Sequence, residues 1–189
     1  MSPPPLPWRE RLIVALALLG RLEDTPPGAP AAVLVPLFIA DDEPHCWLVR
    51  RAAHLRHHPG QIALPGGKPD AADADLRETA LREAHEEIGL PATAVDLLGA
   101  LPARLTSTLF VVTPFVGLIA ADFVPVVQAS EVGRVFAAPL RAFVSGGELR
   151  VPPTLAGREP VPSYLTQGEV VWGATAGILH RLAAALFHD

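Results

Sequence analysis

Three carboxylates, Glu83, Glu86 and Glu87, fall in a segment whose pattern predicts a helix from about Leu76 to Ile88. At about 100° per residue, Glu83 and Glu87 lie one turn apart and Glu86 is the i+3 partner of Glu83, so the three can converge on a point in front of the helix. Leu81, Ala84 and Ile88 share a narrow sector, which predicts an apolar back and a carboxylate front. Like charges so spaced repel by a few tenths of a kcal/mol per pair, and more when desolvated. A hard divalent cation, Mg²⁺ or Mn²⁺, compensates directly: it takes oxygen ligands, keeps several waters and bridges carboxylates to phosphate oxygens. Arg82, just off that face, is placed to orient Glu86 or Glu87 through a charge-assisted bond. Glutamate-rich helix faces are commonly just solvated, so the decision rests on what precedes the helix.

Pro65-Gly66-Gly67 ends a short apolar run and reverses the chain in front of the helix. Glycine there lets backbone approach a ligand closely or adopt positive φ. Upstream, Arg50, Arg51, His54, Arg56, His57, His58 and Lys68 form a basic cluster in an otherwise acidic chain. Such a cluster suits a small polyanion bearing several phosphates. Strand alternation sends half of these side chains away from any one site, so two or three are expected to touch ligand. His57 and His58, neighbours in a loop, read as solvent-exposed rather than metal-binding.

The elements that position these groups follow from punctuation and period. Residues 1–30 read as a proline-rich start followed by a helix whose Leu12, Leu16 and Leu19 share a face, then a Pro/Gly linker over Glu23 to Pro30. With Arg9 and Arg11 before it, Leu12–Gly20 also loosely resembles a secretory signal, but Glu10 and the prolines favour a helix. The domain proper is expected over 31–189. Ala31–Ile39 and Cys46–Arg51 read as a strand pair around Asp41-Asp42-Glu43-Pro44, Ile62–Leu64 as a brief third, and Val95–Leu101 and Val111–Ala120 as later strands. Gly89 and Pro91 supply the helix stop. Glu131–Leu140 is ambiguous, Arg141–Pro162 reads mostly as loop, and a last helix over about Thr175–Phe187 buries Ile178, Leu179, Leu182 and Leu186. A mixed sheet covered by helices, an α/β fold, is the expected architecture.

With 189 residues, one domain is expected. A formal net charge of −5 disfavours binding to a nucleic-acid polymer, which needs many phosphate-neutralising Lys and Arg, so the ligand should be small. The longest apolar run is too short for a membrane span. Cys46 is the lone cysteine, which excludes an intrachain disulfide and fits a reducing, cytoplasmic setting.

Gly67, followed by Ala80-Leu81-Arg82-Glu83-Ala84-His85-Glu86-Glu87-Ile88-Gly89-Leu90, resembles the Nudix box, whose core reads Arg-Glu-apolar-x-Glu-Glu-x-Gly-apolar. The resemblance implies a Nudix-type α/β/α sandwich with a mixed β-sheet, pyrophosphate hydrolysis, and Glu83, Glu86 and Glu87 as ligands of Mg²⁺ or Mn²⁺, one of them a general base in some relatives. The usual box has glycine fourteen residues before the arginine and a glutamate six after that glycine. Lys68 and Ala74 stand there instead, so the loop is about one residue longer, and Asp70, Asp73 or Asp75 is left to fill the glutamate's role.

Ahead of the box, Leu48-Val49-Arg50-Arg51-Ala52, three residues, Arg56, three residues, Gly60, three residues and Leu64-Pro65-Gly66-Gly67 are similar to the signature of the coenzyme A pyrophosphatase branch. Val49, Ala52 and Leu64 depart from its usual threonine, serine and phenylalanine. That branch implies substrate contacts from Arg50, Arg51, Arg56, Gly60, Gly66, Gly67 and Lys68, with Arg56 the first choice as the fixed arginine of the signature, and products 3′,5′-ADP and (acyl-)4′-phosphopantetheine. Ser130-Glu131-Val132 resembles the segment in which many Nudix proteins carry a further acidic residue, making Glu131 a candidate ligand or base. Val171-Trp172-Gly173-Ala174-Thr175-Ala176 resembles the start of the family's C-terminal helix, with a packing role. The alternatives are another nucleoside diphosphate derivative (ADP-ribose, NADH, a dinucleoside polyphosphate) and a non-catalytic nucleotide-binding module.

Overall fold

Residues 29–40 are almost continuously apolar, the signature of a strand covered on both faces. In the computed structural model, which describes residues 6–20, 27–144, 148–150 and 161–187, this segment is the central strand β1 (Ala29–Ala40). Its side chains alternate between two cores: Ala31, Val35 and Leu37 join one, Ala32, Leu34 and Phe38 the other. It starts two residues before the expected Ala31. Most of the proline-rich start, Met1 to Pro5, and the linker residues Glu23 to Pro26 lie outside the described residues.

β1 pairs antiparallel with β2 (Glu43–Arg51) through a two-residue turn, and parallel with β7 (Phe110–Leu118). Asp41 and Asp42 both adopt positive φ, 50° and 60°, the conformation that suits a tight hairpin to strand twist. The strand pairs therefore run closer to the turn than the Asp-Asp-Glu-Pro punctuation suggests. β3 (Ile62–Ala63) and β8 (Val132–Pro139) flank β2, β4 (Gly66–Gly67) pairs with β1, and β5 (Asp96–Ala100) and β6 (Arg104–Leu105) pair with β7. The sheet is mixed because β1–β7 is parallel while its other pairings are antiparallel. Pro36 sits in β1 where that edge changes partner from β4 to β2, so its missing N–H costs no ladder bond.

One face of the sheet is covered by α2 (Leu76–Ile88), the other by α1 (Trp8–Leu19) and α3 (Gly173–Phe187), giving the α/β/α sandwich. α3 buries Ile178, Leu179, Leu182 and Leu186 as the spacing predicts. α1 is no appendage to a domain beginning near Ala31. Leu12 and Leu16 join the same core as α3, Leu19 packs at its edge, and Arg11 donates to the Leu186 carbonyl at 3.0 Å. The ambiguous Glu131–Leu140 stretch is β8. Of Arg141–Pro162, residues 145–147 and 151–160 lie outside the described residues; the rest includes a 3₁₀ turn over Leu140–Phe143 and β9 (Glu148–Arg150), which pairs with β10 (Val161–Thr166), itself paired with β11 (Glu169–Trp172). Among the described residues, no helix is long and apolar enough to cross a membrane.

Candidate active site

Local chemistry defines both ends of α2. The Asp75 carboxylate accepts from the Glu78 N–H at 2.9 Å and the Glu78 side chain reaches back to the Ala74 N–H at 2.7 Å, so two donors at the helix start are satisfied reciprocally. Gly89, at φ 70°, turns the chain left-handed and returns its N–H to the His85 carbonyl at 2.9 Å.

The rotation of α2 departs from the expected apolar back and carboxylate front. The line that faces the sheet is Ala80, Ala84 and Ile88, all fully buried, while Leu81 is only partly so. From the centre of that line Glu87 is turned roughly 60°, Glu83 about 100° and Glu86 about 160°. Exposure follows the rotation: Glu87 is 3% exposed, and the side chains of Glu83 and Glu86 are 15% and 54% exposed. Among the described residues, no three His, Cys, Asp or Glu side chains converge on one point. Instead Arg82 stands between two of the glutamates, its Nη1 donating to Glu83 at 3.1 Å and to Glu86 at 2.9 Å. It orients Glu86, as one of its two expected roles, but has no bond to Glu87.

Glu87 is held from the loop side, where the Gly66 N–H donates to Oε2 at 3.3 Å. Burial pushes its carboxyl up to about 8, with the Glu83 charge adding to the rise and Arg51 and the Gly66 N–H opposing it. Glu83 is also raised, first by burial and further by Glu86 and Glu131, against the pull of Arg82. Glu131 therefore acts electrostatically on both, from an exposed position at the start of β8.

The Gly-Gly pair is required by packing. Gly66 and Gly67 pair with Val33 and Ala32 of β1, and a Cβ on Gly66 would lie 2.6 Å from the Val33 Cα. A Cβ on Gly67 would fall on the Glu83 carboxylate, 2.6 Å from its Cδ. Glycine is what allows the strand end to lie directly against the acidic pair.

Of the three loop aspartates, Asp73 pairs with Arg82. Its two oxygens accept from Nε at 3.0 Å and Nη2 at 3.1 Å, and it also accepts from Thr79 Oγ1 at 2.8 Å and the Asp70 N–H at 2.9 Å. These bonds, Arg82's first, hold the Asp73 carboxyl well below the usual carboxylate range. Arg82 Nη2 also donates to the Lys68 carbonyl at 3.1 Å, which ties the longer loop to the helix. Spacing alone cannot separate Asp73 from Asp70 and Asp75; its hydrogen bonds do.

The basic residues scatter. Arg51 acts on Glu87, whereas Arg50 points to the other face of the sheet and meets Glu169 of β11 at 3.5 Å. The ladder between β2 and β8 shifts register between Arg50 and Arg51, where the two side chains diverge. Arg56, His57 and His58 are exposed on the loop after β2. Gly60, at φ 69°, closes that loop by donating to the Arg51 carbonyl at 3.1 Å. Lys68 Nζ lies 5.0 Å from the Phe110 ring. His54 meets the Ser130 carbonyl at 3.0 Å and so ties this loop to the segment carrying Glu131.

A mixed sheet sandwiched by helices is also the fold of solved Nudix structures. A MutT/nudix family protein from Enterococcus faecalis superposes with a TM-score of 0.53 at 16% identity, over 89% of this chain and 66% of that one. A C. elegans Ap4A hydrolase, solved as a binary complex, gives 0.51 at 16% identity, over 58% of this chain and 80% of that one. The model of the NUDIX domain matches residues 28–137. Among curated relatives, proteins named Uncharacterized Nudix hydrolase NudL are 41% identical in Enterobacter sp. (strain 638) and 43% identical in Cronobacter sakazakii, each over 155 residues covering 81% of this chain and 80% of the relative. The chain belongs to the Nudix family and is a Nudix hydrolase.

Proposed function

We propose that this Nudix hydrolase is a Mg²⁺- or Mn²⁺-dependent pyrophosphatase acting on coenzyme A or its derivatives. The observation that carries the hydrolytic half is the buried Glu87 beside Glu83, packed against Gly66-Gly67. A carboxylate pair with one member at about 8 is poorly stabilised by the protein alone, and its hard oxygens suit a small divalent cation. Glu83 and Glu87 would hold the ion, with Glu86 and Glu131 at the edge of the same site. When bound, such an ion neutralises pyrophosphate charge and acidifies a water for in-line attack on phosphorus.

The chain's own residues supply the rest. Arg82, fixed by Asp73, keeps Glu83 and Glu86 oriented. Gly66 and Gly67 let the strand end lie against Val33 and the Glu83 carboxylate, and the Gly66 N–H holds Glu87. Glu131, whose charge acts on both members of the acidic pair, would accept a proton from the attacking water. Arg51 is the basic residue that already acts on Glu87, and Arg56 and Lys68 stand exposed on neighbouring loops to offset phosphate charge. The coenzyme A reading rests on the Arg51, Arg56, Gly60 and Pro65-Gly66-Gly67 pattern ahead of the helix.

Chromatography of products from coenzyme A, ADP-ribose and NADH, each incubated with Mg²⁺ or Mn²⁺, tests both halves. The expected products are 3′,5′-ADP and 4′-phosphopantetheine. Turnover confined to ADP-ribose or NADH overturns the substrate, and ligand binding without product under either metal overturns the catalysis.

A further inference from the structure

Across the sheet from Glu87, two arginines occupy directly opposed positions. Arg50 of β2 and Arg134 of β8 are cross-strand partners, and strand alternation puts both on the face opposite Arg51. Like charges directly opposed destabilise a ladder, so this pairing needs compensation. Among the described residues it comes from a single group. Glu169 of β11, whose side chain is only 13% exposed, places one oxygen 3.0 Å from Arg134 Nη1 and 3.5 Å from Arg50 Nη1. Arg134 is steadied further by the Phe136 ring, 5.4 Å below its guanidinium.

One carboxylate cannot neutralise two guanidinium groups. Among the described side chains the cluster keeps a net positive charge, and each arginine side chain is 50% exposed. A mostly buried anion thus fixes two exposed forks side by side, the preorganised arrangement that binds a phosphate through several charge-assisted bonds. Its place is equally specific. Arg50 is adjacent to Arg51 and Arg134 is three residues beyond Glu131, so the pair occupies the same end of the β2–β8 ladder as the groups that act on Glu87.

We infer that Arg50 and Arg134, braced by Glu169, form a subsite for a phosphate monoester carried by the substrate apart from its pyrophosphate, reached past the exposed loop after β2 that closes this end of the β2–β8 ladder. This inference rests on the pyrophosphatase reading and deepens it: the preferred substrate is a nucleotide diphosphate derivative with an additional terminal phosphate. Arg134 and Glu169 then determine specificity and take no part in the chemical step.

Coenzyme A and dephospho-coenzyme A differ by one phosphate monoester and serve as the probe pair. The subsite predicts that wild type favours coenzyme A by about tenfold or more in kcat/KM, and that Arg134→Gln and Arg50→Gln each bring the ratio close to one. Arg134→Lys keeps the charge but loses the fork, and should fall between. It also guards against misfolding of the glutamine variants. A wild-type ratio near one, or a preference that survives in both glutamine variants, overturns the subsite while leaving the pyrophosphatase reading intact. Hydrolysis of neither compound overturns that reading instead.

Discussion

Glu87→Gln separates the electrostatic character of the site from its catalysis. Glu87 is buried, and its carboxyl sits at about 8 against an ordinary 4.5. Between those values the folded protein retains a proton that the unfolded chain has released. Stability of the metal-free protein must therefore fall as pH rises through that window. At about 1.4 kcal/mol for each tenfold in the ionisation constant, the loss approaches roughly 4 kcal/mol by about pH 8 and stays under roughly 1 kcal/mol at about pH 5. Glutamine nearly matches the shape, can still accept from the Gly66 N–H, and carries no charge to desolvate. Metal-free Glu87→Gln should thus match wild type at the acid end and exceed it at the alkaline end, by something on the order of 10 °C in melting temperature. Saturating Mg²⁺ should raise wild type more than the variant, because the ion relieves the same buried charge. Turnover should be largely lost although folding is improved. Urea denaturation in chelator at the two pH values, repeated with Mg²⁺, measures this. An equal stability gap at both pH values would refute the reasoning, as would a metal-induced gain equal in both proteins.

Gly67→Ala drives a methyl group into the Glu83 carboxylate. It should cost about 1 to 3 kcal/mol of stability and lower kcat markedly, read by denaturant titration and steady-state kinetics; a variant with normal turnover would show that the strand end need not touch the acidic pair. Asp73→Asn removes the charge that pairs with Arg82. Because the Asp73 carboxyl is held below its ordinary value, its contribution is present above about pH 4 and is lost as pH falls further, so the asparagine variant should show a flatter acid-denaturation limb. Its kcat should also drop, with partial recovery in Asp73→Glu, since Arg82 then loses or regains its brace.

Much of the scaffold was readable because it is encoded by neighbours in the chain. The bounds of α2 follow from the Asp75 cap and the Gly89 stop, and the buried face of α3 follows from its spacing. β8 was ambiguous because its apolar residues alternate imperfectly and only pairing along β2 makes them a strand. α1 looked peripheral for a similar reason. The partner of Leu12 and Leu16 is α3, more than 150 residues away in sequence, and no local signal announces it.

The candidate site divides along the same line. Residue types and spacing determined which groups are available: three glutamates on one helix, an arginine among them, and a Gly-Gly strand end before them. Tertiary structure decided what each one is. The covering sheet sets the rotation of α2, and that rotation buries Glu87, largely shelters Glu83 and leaves Glu86 in solvent beside Arg82. Asp73 was chosen over two sequence neighbours by where the loop folds back, and Arg50 and Arg51 were sent to opposite faces by the ladder. A carboxylate's affinity for its proton depends on what surrounds it, and those surroundings come from segments distant in the chain.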